Sequence, residues 1–340
     1  MNKNIDIIDF TKIILAFMIV AIHTGFIDQY IYPTVRLAVP LFFIFSGFFA
    51  FSKIDSAKNL SAQKSILKNT ISRYLKLYLF WFIVSLPLMI YFRYFFKEGF
   101  LKGIFIFIRQ FFLGSTFSAS WFLMACMLGI IIVFHMSRHF SNKTLILLSI
   151  PFYLFATLLS EFKGYIISVP KLNAAYEQYA LFFGEPCFTF FISLLYISIG
   201  KTIFDSLSHI KKIKRYRIGF VISFILLLIE YNIMLNFDFF IFSADCLILL
   251  APVCTLFVLS IINTKKKIKH AHLFRKMSTI IYCSHIPVKT IWIKVFLILG
   301  IDDPQNILMF LLTSAVCTIG AVILLKLEKF SKLKFLQYSH

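Results

Sequence analysis

The chain has 340 residues, of which 60% are apolar and only 15% charged, with 44 Phe and few Gly or Pro to build linkers. That balance excludes a soluble globular domain and a disordered chain, and it fits a polytopic membrane protein. A formal charge of +20 would suit a nucleic-acid partner, but the positive residues flank apolar stretches in short loops, as topology determinants and anionic-lipid contacts do, and no aromatic–basic nucleic-acid module is apparent.

A bilayer core about 30 Å thick takes about 20 apolar residues per helix. Spans are predicted near 5–27, 37–52, 77–96, 118–137, 144–161, 180–203, 218–236, 241–263, 278–299 and 307–326. The expected fold is all-α, a single integral membrane domain over 1–340 with about ten transmembrane helices. The first stretch is long, has acids ahead of it and lacks a small-residue cleavage site, so it reads as a retained helix rather than a cleaved signal. The second is short and contains Pro40 and Gly47, interruptions tolerated where neighbouring protein or a cavity satisfies the backbone. The Phe-rich, partly amphipathic segment 97–117 fits the membrane interface. With the N-terminus in the cytoplasm, most of the 35 Lys and Arg fall on the inner side, which predicts N-in and C-in. Cys126, Cys187, Cys246, Cys254, Cys283 and Cys317 all lie inside apolar segments and form no CxxC. They read as small buried hydrophobes, with neither a disulfide framework nor a metal site.

Ionisable groups inside apolar spans are costly and so carry information. The first span holds Lys12 and His23. Eleven residues return a helix to nearly the same face and separate the two groups by roughly 16 Å along the axis. Lys12 can therefore sit at one membrane surface while His23 lies deep, both lining one cavity. The predicted orientation puts Asp9, Lys12, Arg73 and Lys76 near the cytoplasmic face, and Arg36, Glu185, Glu230 and Asp245 toward the outside. His23 lies between these groups, and His285 about two turns into the ninth span from the inner face. Together they suggest a polar path with a basic inner mouth suited to a phosphorylated ligand and an outer mouth whose carboxylates can bond hydroxyls. His23 between them suits a general base. Plainer accounts stand beside this one. Lys12, Arg73 and Lys76 also fit as snorkelling anchors, and Arg36 as an interfacial one. Asp9 fits as a partner of Lys12. Glu185, Glu230 and Asp245 fit as hydrogen-bond glue between helices, and His23 and His285 as packing residues.

Five stretches resemble the acyltransferase-3 family of membrane-bound acyltransferases, in order and spacing across essentially the whole chain. IDIIDFTKIILAFMIVAIHTGF resembles its first helix, in which a basic residue, ten intervening residues and a histidine map onto Lys12 and His23. RLAVPLFFIFSGFF, starting at Arg36, resembles its arginine followed by a Phe-rich run ending in Ser-Gly. SRYLKLYLFW resembles its basic cytoplasmic motif, carried by Arg73 and Lys76. SWFLMACMLG, around Trp121, and MSTIIYCSHIPV, with Tyr282 and His285, resemble its fourth and a late helix. Two residues depart from the pattern: the family commonly has Arg at the positions of Lys12 and Lys76, and Lys keeps the charge but loses planar, bidentate phosphate recognition.

The resemblance implies transfer of an acyl group, usually acetyl, from cytoplasmic acyl-CoA to a hydroxyl of a cell-surface polysaccharide or lipid-linked sugar, in a bacterial inner or plasma membrane. Acyl-CoA would be a donor substrate, with no cofactor bound permanently. Lys12, Arg73 and Lys76 would hold the CoA phosphates. His23 would be the base, with a transient acyl-histidine as the alternative, and Arg36 would position the acceptor or stabilise the oxyanion. Glu185, Glu230, Asp245, Trp121, Tyr282 and His285 would line the acceptor path. Membrane lipids and polysaccharide-synthesis proteins are the expected partners. Two other readings stay open. One is a transporter or flippase, since some members of the superfamily, the membrane half of serine racemases among them, look more like export or uptake components. The other is a non-catalytic scaffold. Neither a fused racemase domain nor a periplasmic hydrolase-like domain is expected in 1–340.

Overall fold

The computed structural model describes residues 6–91, 99–113, 116–117, 120–210, 213–237, 244–262, 264, 267–301 and 306–340. Lys3, residue 5 of the first predicted span, 92–96 of the third, 118–119 of the fourth, and 241–243 and 263 of the eighth lie outside the described residues, as do 97–98 and 114–115 of the segment predicted to be interfacial. The described residues are all helix, turn and loop, with no strand. In chain order the helices are α1 Asp6–Thr24, α2 Pro33–Arg36, α3 Ala38–Ile54, α4 Leu60–Tyr91, α5 Phe100–Leu113, α6 Ser120–Met136, α7 Asn142–Glu161, α8 Lys163–Ser168, α9 Pro170–Phe183, α10 Phe190–Asp205, α11 Ile213–Met234, α12 Leu250–Ile261, α13 Ala271–Ile298 and α14 Ile307–Leu327.

Eight helical stretches among the described residues are long and apolar enough to cross a membrane. The predicted spans at 118–137 and 241–263 coincide instead with shorter apolar helices, the 17 residues of α6 and the 12 of α12. At about 1.5 Å per residue, α12 reaches only about 18 Å. It begins late because residues 244–249, apolar enough to pass for helix, form a loop whose backbone is bonded by side chains from elsewhere.

The lipid-facing surface follows from helical periodicity. Ile218, Val221, Ile222, Ile225, Leu226, Ile229 and Ile233 form one exposed apolar stripe on α11, and Ile307, Leu311, Ile319 and Ile323 are exposed on α14. Contiguous surfaces of that kind need an apolar surrounding, and this is a multi-pass membrane protein. The amphipathic segment expected near 97–117 contains α5, which turns Leu101, Ile104, Phe105, Ile108 and Phe112 outward.

At the centre, α3 packs against α10, α1, α6, α4 and α12. Small residues set how closely the first pair approach, as between membrane helices generally. A Cβ at Gly200 would lie 2.2 Å from the Ile44 carbonyl oxygen and 2.8 Å from the Phe48 nitrogen, and one at Gly47 would lie 2.6 Å from the Ile197 carbonyl oxygen. Because these neighbours are backbone, the helices themselves must separate. We expect Gly200→Ala to lower stability by about 3 kcal/mol, at the upper end for overpacking. Gly320→Ala on α14, where nothing lies within 4 Å, serves as the neutral control. Thermal unfolding in detergent compares the two, and equal midpoints would refute the tight crossing.

Candidate active site

The spacing along α1 separates Lys12 from His23 as expected, but Lys12 is not among the residues lining the cavity that His23 faces. Asp9 and Lys12 sit in its first half and His23 in its last turn. At the first end, Lys12 Nζ lies over the Phe49 ring, 4.4 Å from its centroid. Asp9 stands close enough to Lys12 for the two charges to attract, as a pairing between them requires, and it also faces Arg275 of α13 at 3.8 Å. Arg73, Lys53 and Arg275 are close enough for their charges to act on Lys12, which makes this end basic. Arg73 and Lys76 are exposed, and Lys76 sits 5.1 Å from the centre of the Tyr338 ring.

At the other end, a cavity of about 570 Å³ opens among α1, α2, α5, α6, α9 and α13, within the usual range for small-molecule sites. His23, Arg36, Trp121, Glu185, Asp245 and Tyr282 all line it. Six of the eleven predicted site residues, drawn from across the chain, thus meet around one space.

His23 keeps accessible surface on the cavity wall. Its backbone carbonyl accepts a bond from Lys289 Nζ at 2.5 Å, tying the end of α1 to α13. Behind it lies His285, 1% exposed, with the two ring centres 5.0 Å apart. His285 therefore stands in a second row rather than on the wall, since α13 turns its Tyr282 side to the cavity. His285 Nδ1 lies 2.5 Å from the Tyr282 carbonyl oxygen. A carbonyl can only accept, so the proton is on Nδ1. Nε2 is left with a lone pair and, among the described residues, no partner.

Arg36 ends the short helix α2. Its Nη1 meets Asp245 Oδ1 at 2.5 Å, its Nη2 donates to the Tyr32 hydroxyl at 2.5 Å, and its Nε is buried with no partner among the described residues. Asp245 stands on a loop where Ala244 takes a left-handed φ of 51°, a conformation that residues other than Gly and Asn rarely adopt. Side chains hold that loop. Glu161, fully buried, accepts from the backbone N–H groups of Ala244 at 3.1 Å and Cys246 at 2.7 Å. Thr157 donates to the Cys246 carbonyl and Tyr153 to that of Leu247. Glu230, expected on the acceptor path, does not line the cavity, because its two oxygens accept from Ile248 and Leu249 N–H at 2.9 and 3.0 Å. Two carboxylates thus fix the backbone that aims Asp245 at Arg36.

Glu185 lines the cavity while paired with Lys163 at 2.6 Å and accepting from the Tyr176 hydroxyl at 2.5 Å. The sequence reading missed Tyr32, Arg109 and Gln110 on the wall and Glu161 behind it. Tyr32 and Arg36 are four positions apart, one helical turn, and that was the available signal. Arg109 lies midway along the predicted interfacial segment 97–117, which also holds Lys97 and Lys102, and a cation amid its Phe-rich part was the other. All six cysteines are buried and unpaired, as expected.

A multi-pass helical membrane protein with a histidine-walled cavity at one end of its first helix and a basic cluster at the other is the class that fold and site define. The chain belongs to the acyltransferase-3 family, whose acyltransferase domain matches residues 5–326. It is also similar to a serine/alanine racemase of Enterococcus gallinarum, 26% identical over 97% of this chain and 47% of that protein. Two amino-acid racemases of Enterococcus faecalis are 27% and 28% identical over 64% and 50% of this chain, and over 30% and 25% of their own lengths. The chain spans less than half the length of these curated relatives. No solved structure matches it.

Proposed function

We propose that the protein is a membrane O-acyltransferase that moves an acyl group, acetyl by family precedent, from acyl-CoA to a hydroxyl of a cell-surface polysaccharide or lipid-linked sugar, in a bacterial inner membrane with both termini inside. The observation that carries this reading is His23 on the wall of a closed-in cavity, one helix length from a basic cluster, in a chain of an acyltransferase family. Lys12, Arg73 and Lys76 hold the phosphates of the donor, whose pantetheine arm presents the thioester near His23. The His23 imidazole takes the proton of the acceptor hydroxyl as its oxygen attacks the thioester carbonyl. The tetrahedral intermediate collapses, the C–S bond breaks, and the thiolate of CoA recovers the proton from the imidazolium. Arg36 stabilises the oxyanion or seats the acceptor. Trp121 and Tyr282 supply apolar faces for a sugar ring, and His285 holds the His23 ring from behind.

The test is acetyl-CoA binding to the full chain in nanodiscs. Wild type binds, and Lys12→Ala and Arg73→Ala each weaken binding by about tenfold, the scale of one lost charge-assisted phosphate contact. A folded wild type that does not bind acetyl-CoA overturns the donor assignment. A second reading of the same membrane fold is a transporter or flippase for a small polar solute or polysaccharide precursor. That reading predicts substrate flux without acyl-CoA, unaffected by Lys12→Ala.

A further inference from the structure

The charges around the cavity do not cancel locally. Arg36 is matched by Asp245, and Glu185 by Lys163. Arg109, on α5, has no such match. Its Nη1 donates to the carbonyls of Ala180 and Leu181 at the end of α9, at 2.9 and 2.8 Å, and its Nε is buried with no hydrogen-bond partner. Among the described residues no carboxylate lies within ion-pair distance of it, and it is partly buried. Carbonyl oxygens orient a guanidinium without neutralising it, so a full positive charge remains beside a half-enclosed space. A partly desolvated cation without a counter-ion is unfavourable by itself and favours an anion brought by a ligand. The rings facing the same space, Trp121 and Phe188 with centres 5.2 Å apart, offer an apolar wall to the rest of that ligand.

We propose that Arg109 is an anion-reading, specificity-determining residue, and that the acceptor admitted to this cavity carries a carboxylate or phosphate beside its hydroxyls. The proposal rests on the acyltransferase reading of the cavity only for the word acceptor; the anion preference is a property of the site itself. The bond to form is a charge-assisted contact from the guanidinium hydrogens that the α9 carbonyls do not use.

The full chain in nanodiscs is titrated calorimetrically with methyl glucoside, methyl glucuronide, glucose 6-phosphate and inorganic phosphate, and acetyl transfer to the three sugars is assayed in parallel. Wild type is expected to bind at least one anionic sugar about tenfold more tightly than the glucoside, as one charge-assisted contact provides. The order of glucuronide and sugar phosphate identifies the anion, and inorganic phosphate competes only if the phosphate is read without the sugar. Arg109→Gln removes the preference and leaves glucoside and acetyl-CoA binding unchanged, while Arg109→Lys keeps part of it. Equal affinity of wild type for charged and neutral sugars, binding of none of the anionic probes, or an undiminished preference in Arg109→Gln overturns the proposal. The wild-type comparison decides even where a variant fails to fold. Anion preference without acetyl transfer would leave Arg109's role standing and sink the acyltransferase reading; transfer without preference would do the reverse.

Discussion

Replacing His23 by alanine is expected to lower acyl transfer by about 10²–10⁴-fold, the usual contribution of a positioned general base, while acetyl-CoA binding is unchanged. The separation of effects comes from the geometry of α1. His23 stands in the last turn and Lys12 in the first half, so removing the imidazole leaves the basic end intact. The substitution also removes little packing, because His23 faces the cavity rather than the core. His285→Gln should be milder, since an amide can donate to the Tyr282 carbonyl but holds the His23 ring less well. Steady-state transfer and donor titration on the same preparations check both. A folded His23→Ala protein with wild-type turnover would end the general-base role and the acyl-histidine alternative together.

The parts of this site that were legible in the sequence are those set by local periodicity. The offset of eleven positions from Lys12 to His23 fixes a shared face and an axial separation whatever surrounds the helix. The apolar runs located the helices because a polar backbone in hydrocarbon has few other options. Partners across the fold were not legible. Asp9 has Lys12 within reach on its own helix and feels its charge, yet the ion-pair contact it makes is with Arg275, on a helix that begins 262 residues after Asp9, at Ala271. Glu161 and Glu230 look alike as lone acids in apolar segments, and both turn out to bond the backbone of one loop. The loop itself was hidden because Cys246 to Leu249 is as apolar as a helix, and only the side chains that bond its N–H groups allow it to stay unwound. Arg109 resembles an interfacial anchor from sequence, and only its two carbonyl partners on α9 bring it to the cavity.

Arg36→Ala and Asp245→Ala should each destabilise the protein by about 3–5 kcal/mol, because either one leaves a buried charge without its partner. The side chains of the pair are only 15% and 11% exposed. The loop cannot swing Asp245 out to water, since Glu161 and Glu230 hold it from both sides. The double replacement Arg36→Met with Asp245→Leu removes both charges and fills the volume, and it should recover most of the lost stability. Its activity then separates two roles that the single variants confound. If Arg36 only fastens the loop, the stable double variant transfers acyl groups normally. If its guanidinium also stabilises the oxyanion, kcat stays down by about 10²–10³-fold, the effect of losing one oxyanion donor, with donor binding intact. The second outcome is expected, because Arg36 lines the same cavity as His23 and its Nε has no partner among the described residues. Restored turnover in the double variant would reduce Arg36 to a structural fastener.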